Sequence, residues 1–273
     1  MTLDPALFEA ARQIALEAGK AIMRVYAGDF EVVAKHDHSP VTEADLAAHR
    51  LIEDGLRALT PAYPVLSEEG ADIPFETRRG WARYWLVDPL DGTREFVRRN
   101  GEFTVNIALI EHGEAVLGVV HAPALGLTYG ALRGGGAWKW RTEGDAPERI
   151  RVRSPAARPL RVAVSRSHGH ERIRAYLEAL GAHEPILMGS ALKSCLVAEG
   201  AADLYPRLGP TSEWDTAAAQ SVVEEAGGHF TDAKGHRLRY NSKESLLNPE
   251  FFVFGDDTIH GLRHLPPEPA RDA

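Results

Sequence analysis

The stretch Trp85-Leu86-Val87-Asp88-Pro89-Leu90-Asp91-Gly92-Thr93 constrains this 273-residue chain more tightly than any other. An apolar, β-forming run opens directly onto two acids, a proline and a glycine, so the acids are expected where a strand ends. Pro89 holds Asp88 in extended geometry. Gly92 permits a tight turn and the close approach of a ligand. Thr93 is placed to cap a short helix, Arg94 to Arg99, whose free N–H groups would face the same point.

Two further acids occur in comparable settings. Pro64-Val65-Leu66-Ser67-Glu68-Glu69 is a second short apolar run ending in acids, and Trp214-Asp215-Thr216 sets an acid at the start of a helix. If these ends meet, Glu68, Asp88, Asp91 and Asp215 form a cluster of like charges. Two carboxylates about 4 Å apart repel by roughly 4 kcal/mol at an effective dielectric of about 20, so the cluster stays ionised only beside cations. Oxygen-only donors select hard ions, and magnesium is usually held by a few carboxylates plus water and substrate phosphate. A two-metal phosphoesterase follows, with one ion activating water and the other stabilising the leaving oxygen. Taken singly, the same residues also fit turn chemistry at Asp88-Pro89 and Asp91-Gly92, and a helix cap at Asp215.

The formal charge of -8 gives no global attraction for a nucleic acid polymer, although a basic pocket could still receive a small anion. Cys195 is the single cysteine, which excludes an intrachain disulfide and a thiolate zinc cluster and fits a reducing compartment. Its setting on a helix suggests packing rather than reactivity. The first ten residues lack the basic and apolar regions of a signal peptide, and no apolar stretch approaches the roughly 20 residues that span a bilayer. A cytoplasmic protein is expected.

Periodicity divides the chain into two unequal styles. Asp4 and Pro5 open a helix whose apolar residues Leu7, Ala11, Ile14, Ala18, Ile22 and Val25 recur on one face. Thr42 and Asp45, at capping-box spacing, start a second helix that runs through Leu46, Ile52 and Leu56 to Thr60-Pro61. Short β-rich runs follow at Trp85 to Val87, Thr104 to Ile110 and Ala115 to His121, and Gly134-Gly135-Gly136 before Trp138 and Trp140 reads as a tight hairpin. Beyond the polar stretch Thr142 to Glu148, strands and helices alternate, with a last helix from Ser212 to Ala226. The expected division is an α+β half at residues 1–145 and an α/β half at 146–262, with a disordered, proline-bearing tail at 263–273.

Asp88-Pro89-Leu90-Asp91-Gly92-Thr93, with Trp214-Asp215-Thr216-Ala217 far downstream, resembles the two-part signature of the inositol-monophosphatase superfamily. Asn100-Gly101-Glu102-Phe103-Thr104-Val105-Asn106-Ile107-Ala108-Leu109, Ser165-Arg166-Ser167-His168 and Leu204-Tyr205-Pro206-Arg207 resemble its bacterial bisphosphate-nucleotidase branch. The resemblance covers residues 5 to 254 and implies a layered αβαβα sandwich. It implies that Glu68, Asp88, Asp91, Asp215 and the Leu90 carbonyl bind two magnesium ions, or three if Asp45 takes one. Asp45 and Thr93 match the pair that holds and activates the attacking water, with Glu68 beside them in the catalytic set. The amides of Gly92 and Thr93 would cradle the scissile phosphate, while His168, Ser190, Lys193 and Arg207 would surround the nucleoside and a second phosphate.

By the same resemblance the substrate is adenosine 3',5'-bisphosphate, hydrolysed without a covalent intermediate to AMP and phosphate in support of sulfur assimilation, with sensitivity to lithium. Peripheral attachment to the cytoplasmic face of the inner membrane is a property of that branch. The rival readings are an inositol-phosphate or sugar-phosphate phosphatase with the same metal core, and a noncatalytic nucleotide- or lithium-sensing protein.

Overall fold

A long helix opens the chain because Asp4 accepts a 2.9 Å hydrogen bond from the Ala6 N–H and Pro5 needs no partner at the first turn. The computed structural model describes residues 4–28, 32–34, 40–142, 144, 146–166 and 171–259, with 32–34 and 40–42 described by backbone alone. The expected tail therefore lies outside the described residues. Helix α1 (Pro5–Tyr26) is followed by the paired strands β1 (Val32–Ala34) and β2 (Pro40–Thr42), then by α2 (Glu43–Leu59).

Seven strands then form the first sheet: β3 (Val65–Ser67), β4 (Arg83–Asp91), β5 (Thr104–Glu111), β6 (Glu114–Ala122), β7 (Leu127–Leu132), β8 (Gly136–Trp140) and β9 (Glu148–Ile150). They lie side by side in chain order, and only β3 and β4 run parallel. Two short helices interrupt them, α3 (Phe75–Arg78) and α4 (Thr93–Val97). The hairpin expected at Gly134 joins β7 to β8, and the N–H groups of Gly134 and Gly136 both donate to the Glu225 carboxylate.

The rest of the chain alternates as expected: β10 (Leu160–Ser165), α5 (Glu171–Leu180), β11 (His183–Met188), α6 (Leu192–Ala198), β12 (Leu204–Arg207), α7 (Glu213–Glu225), β13 (His229–Asp232) and β14 (Phe251–Phe254). These strands make a second sheet in the order β11-β10-β12-β14-β13, parallel across β11, β10 and β12 and antiparallel from β12 onward. Because β9 pairs with β8, the change of sheet falls between Ile150 and Leu160.

Side-chain alternation along β4 shows how the layers stack. Trp85 and Val87 point into a core shared with Ala11, Ile22, Ile52 and Leu56 of α1 and α2. Tyr84 and Leu86 point the other way, into a core shared with Cys195 of α6, Val222 of α7 and Phe251 of β14. On the far side of the second sheet, Tyr176 of α5 packs with Val162, Leu204 and Phe252. Helices, sheet, helices, sheet and helix follow one another, which is the αβαβα sandwich. Each large side chain withdrawn from water in these cores contributes about 1.5–3 kcal/mol.

The central helix layer needs small residues. A Cβ on Gly118 of β6 would stand 2.1 Å from the carbonyl oxygen of Ala218, so glycine alone lets α7 lie this close to the sheet. The cluster Ala217, Ala218 and Ala219 serves the same approach from the helix side. The second helix runs through Leu46, Ile52 and Leu56 as expected; Leu46 is 40% exposed, and Ala44 and Ala48 take the buried face of α2 with Ile52 and Leu56. Cys195 is buried, as its helix setting suggested.

Candidate active site

Of the two acids expected where the strand ends, Asp91 is the last residue of β4 and Asp88 stands three residues inside it. β4 runs through both, and the pairing with β5 slips between them: Asp88 faces Asn106, then Asp91 faces Thr104. Three steps on β4 therefore oppose two on β5, the mark of a β-bulge. Residues three apart in a regular strand point to opposite faces. The extra residue turns both carboxylates into one cavity. Pro89, which has no N–H to pair, sits where the ladder is broken, and Asp88 Oδ1 accepts from the Leu90 N–H at 3.0 Å.

The turn after the bulge also departs from the sequence reading. Gly92, at φ 92°, is the residue that caps α4, and its carbonyl accepts from the N–H groups of Glu95 and Phe96. Thr93 is the first helical residue, and its hydroxyl donates to the Leu90 carbonyl at 3.4 Å. The short helix ends at Val97, two residues before the expected Arg99.

A cavity of about 360 Å³ brings together Glu68, Asp88, Leu90, Asp91, Gly92, Thr93, Ser190, Lys193, Arg207 and Asp215. Glu68 reaches it because β3 is the parallel neighbour of β4, so the turn after Ser67 lies beside the bulge. Asp215 is the third residue of α7 and forms a capping box with Ser212, its Oδ2 accepting the Ser212 N–H at 2.9 Å. The cap reading and the site reading of Asp215 therefore hold together. Asp45 is fully buried on α2, close enough to raise the Asp88 pKa. The Thr42 side chain that would complete its capping box lies outside the described residues, and so does His168.

Burial sets the electrostatics of the acids. It drives the Asp88 carboxyl well above the usual carboxylate range, reinforced by Glu68, Asp91, Asp215 and Asp45 in turn. Burial and then the Asp91 charge push Asp215 up to about 8. Asp91 is raised less, because Lys193, the Ala191 N–H, Asn106 and Arg207 oppose its burial. Lys193 is pushed down to about 8, first by its own burial, with Asp91 pulling it back up and Arg207 adding to the fall.

The donor set fits a hard cation: one buried and three half-buried carboxylates and one carbonyl face a shared cavity, and the repulsion among the acids falls when positive charge enters. Among the described residues no three of these acids have drawn into a ready-made ligand cage. Two of them are instead turned toward backbone amides, Asp91 to Ala191 and Asp215 to Ser212.

Sequence reasoning missed several contacts. Asp91 Oδ2 accepts from the Ala191 N–H at 2.6 Å and from Asn106 Nδ2 at 3.4 Å. Thr104 and Asn106 are polar at period two in a strand that is then apolar as far as Glu111, a signal that they share the face of the carboxylates. The Lys193 ammonium lies 5.3 Å from the centre of the Tyr205 ring and donates to the Ser190 carbonyl at 2.6 Å. Arg207 donates to the Pro210 carbonyl at 2.8 Å, and its buried Nε has no hydrogen-bond partner among the described residues.

The fold and the bulge site can be set beside known proteins. The model of the inositol monophosphatase family matches residues 5–257. The chain belongs to that family. Members of the inositol monophosphatase family are metal-dependent phosphatases, in keeping with the oxygen donors gathered here. A curated relative, the 3'(2'),5'-bisphosphate nucleotidase CysQ of Escherichia coli K12, is 55% identical over 244 residues, 88% of this chain and 96% of that one. Two solved structures of the inositol monophosphatase family superpose closely. CysQ from Bacteroides thetaiotaomicron has a TM-score of 0.81 at 40% identity, covering 92% of this chain and 97% of that one. An inositol monophosphatase from Thermotoga maritima has a TM-score of 0.79 at 29% identity, covering 96% and 97%. Among the described residues no helix is long and apolar enough to cross a membrane.

Proposed function

We propose that this chain is a magnesium-dependent 3'(2'),5'-bisphosphate nucleotidase that converts adenosine 3',5'-bisphosphate to AMP and phosphate. One observation carries the substrate reading. The cavity that gathers the carboxylates also holds Lys193 and Arg207, with Arg207 near enough to lower the proton affinity of Lys193. A monophosphate has no use for that pair beside a metal centre, whereas a second phosphate would neutralise it. The name of the 55% identical relative supports the same choice.

Glu68, Asp88, the Leu90 carbonyl, Asp91 and Asp215 would hold the magnesium. When bound, magnesium supplies positive charge that favours ionised water and offsets charge developing on phosphate. Asp45 and Thr93 would hold and activate the attacking water, whose proton passes to the Asp45 carboxylate, with Glu68 alongside. The backbone N–H groups of Gly92 and Thr93 bind the scissile phosphate, and the αL turn at Gly92 leaves that approach open. Ser190, Lys193, Arg207 and His168 orient the nucleoside and the second phosphate.

In this division of labour the half at 1–145 carries most metal donors, and the half at 146–262 carries the nucleotide contacts with Asp215. Release of phosphate from adenosine 3',5'-bisphosphate should stop on addition of EDTA and return with magnesium. Undiminished release in EDTA contradicts the proposal.

A further inference from the structure

Glu102 does not line the cavity, yet three hydrogen bonds converge on its carboxylate. Arg166, at the end of β10, donates from Nε at 2.9 Å and from Nη2 at 2.7 Å, a two-point pairing. The backbone N–H of Gly189 donates to Oε2 at 2.8 Å. Glu102 belongs to the segment between α4 and β5 of the first sheet, whereas Arg166 and Gly189 follow strands of the second. The Glu102 side chain is 12% exposed and that of Arg166 39%, so the link runs from the rim of the joint between the sheets, at Arg166, to its interior, at Gly189.

Both sides of the link are held close. A Cβ on Gly189 would stand 2.6 Å from the Glu102 carbonyl oxygen and 2.8 Å from Cγ of Glu95, and one on Gly92 would stand 3.2 Å from the same carbonyl. Glu102 is itself fixed by a 3.0 Å bond from its N–H to Asn100 Oδ1. The next residue along from Gly189 is Ser190, held at φ 45° in the left-handed region that a serine rarely adopts. Such a conformation persists only where its surroundings over-determine it. Here Gly189 is bonded to Glu102 on one side of Ser190, and Ala191 to Asp91 on the other. The Ser190 carbonyl then receives the Lys193 ammonium at 2.6 Å.

We infer that Glu102 is a positioning residue for substrate selectivity, holding the Gly189–Lys193 turn against the bulge so that Ser190 and Lys193 face the second phosphate. This inference rests on the nucleotidase reading. It assigns Glu102 no contact with substrate or metal.

The test compares wild type, Glu102→Ala, Glu102→Gln and Arg166→Ala on adenosine 3',5'-bisphosphate and on inositol 1-phosphate. Glu102→Ala should raise KM for the bisphosphate about tenfold or more, the effect of misplacing one charge-assisted contact, while its kcat stays within about twofold. KM for the monophosphate should move by less than about threefold. Glu102→Gln keeps an acceptor for the Gly189 N–H and should recover most of the loss. Equal changes on the two substrates, or a lowered Tm with KM untouched, overturn the inference and leave Glu102 a structural link. If Glu102→Ala does not fold, Arg166→Ala decides: a KM rise of about threefold or more for the bisphosphate alone supports positioning, and no rise overturns it. A wild-type enzyme with no preference for the bisphosphate removes the nucleotidase reading itself. A wild type that has the preference, with variants that keep KM, removes this inference alone.

Discussion

Asp91 Oδ2 accepts a 2.6 Å hydrogen bond from the backbone N–H of Ala191, joining the bulge of the first sheet to the residue that caps α6 in the second half of the chain. The same carboxylate lies within the field of Lys193, two residues further along, in the first turn of that helix. One connection therefore joins the geometry of the proposed metal donors to that of the proposed second-phosphate contacts.

Lys193→Ala should separate the two ends of the substrate. Loss of a charge-assisted hydrogen bond costs about 1.5–3 kcal/mol, so KM for adenosine 3',5'-bisphosphate should rise roughly ten- to a hundredfold. KM for inositol 1-phosphate should rise far less. Steady-state kinetics on both substrates checks this, and parallel increases count against a second-phosphate site.

Metal-free protein should lose stability as pH rises. Asp88 and Asp215 have folded-state pKa values above their unfolded ones, so the folded state binds more protons and stability declines with increasing pH. For Asp215 the decline runs from the unfolded value of 3.8 up to about 8. In EDTA, Tm measured between pH 5.5 and pH 8.5 should fall, and saturating magnesium should flatten the slope. Asp88→Asn should also flatten it in EDTA while reducing kcat by about a hundredfold or more. Identical Tm profiles with and without magnesium contradict the shared carboxylate site.

A buried ion pair supports α6 from its other end. Lys139 of β8 pairs with Glu199, which also accepts from the Tyr129 hydroxyl at 3.1 Å. Removing one partner strands a buried charge, so Lys139→Met should cost about 3 kcal/mol, or about 6–12 °C in Tm. Adding Glu199→Gln should restore much of that. A single variant as stable as wild type shows that the pair does not anchor the helix.

Much of this site was legible because its residues announce their chemistry by type. The run from Trp85 to Thr93 specifies a strand, acids and a turn, and Trp214-Asp215 specifies a helix start. The bulge was not legible, because it depends on how β4 registers with β5, and register is a tertiary property. Ala191 was invisible for another reason: it acts through its backbone N–H, which every residue but proline possesses. The layering came from a family resemblance, since alternating elements alone do not fix which face each helix covers.

The most direct measurement is phosphate release from adenosine 3',5'-bisphosphate, AMP and inositol 1-phosphate at equal concentration, with magnesium and then with EDTA. A strong preference for the bisphosphate, dependent on magnesium, is the predicted result. A preference for inositol 1-phosphate would keep the metal site and contradict the nucleotidase assignment, and turnover indifferent to EDTA would contradict both.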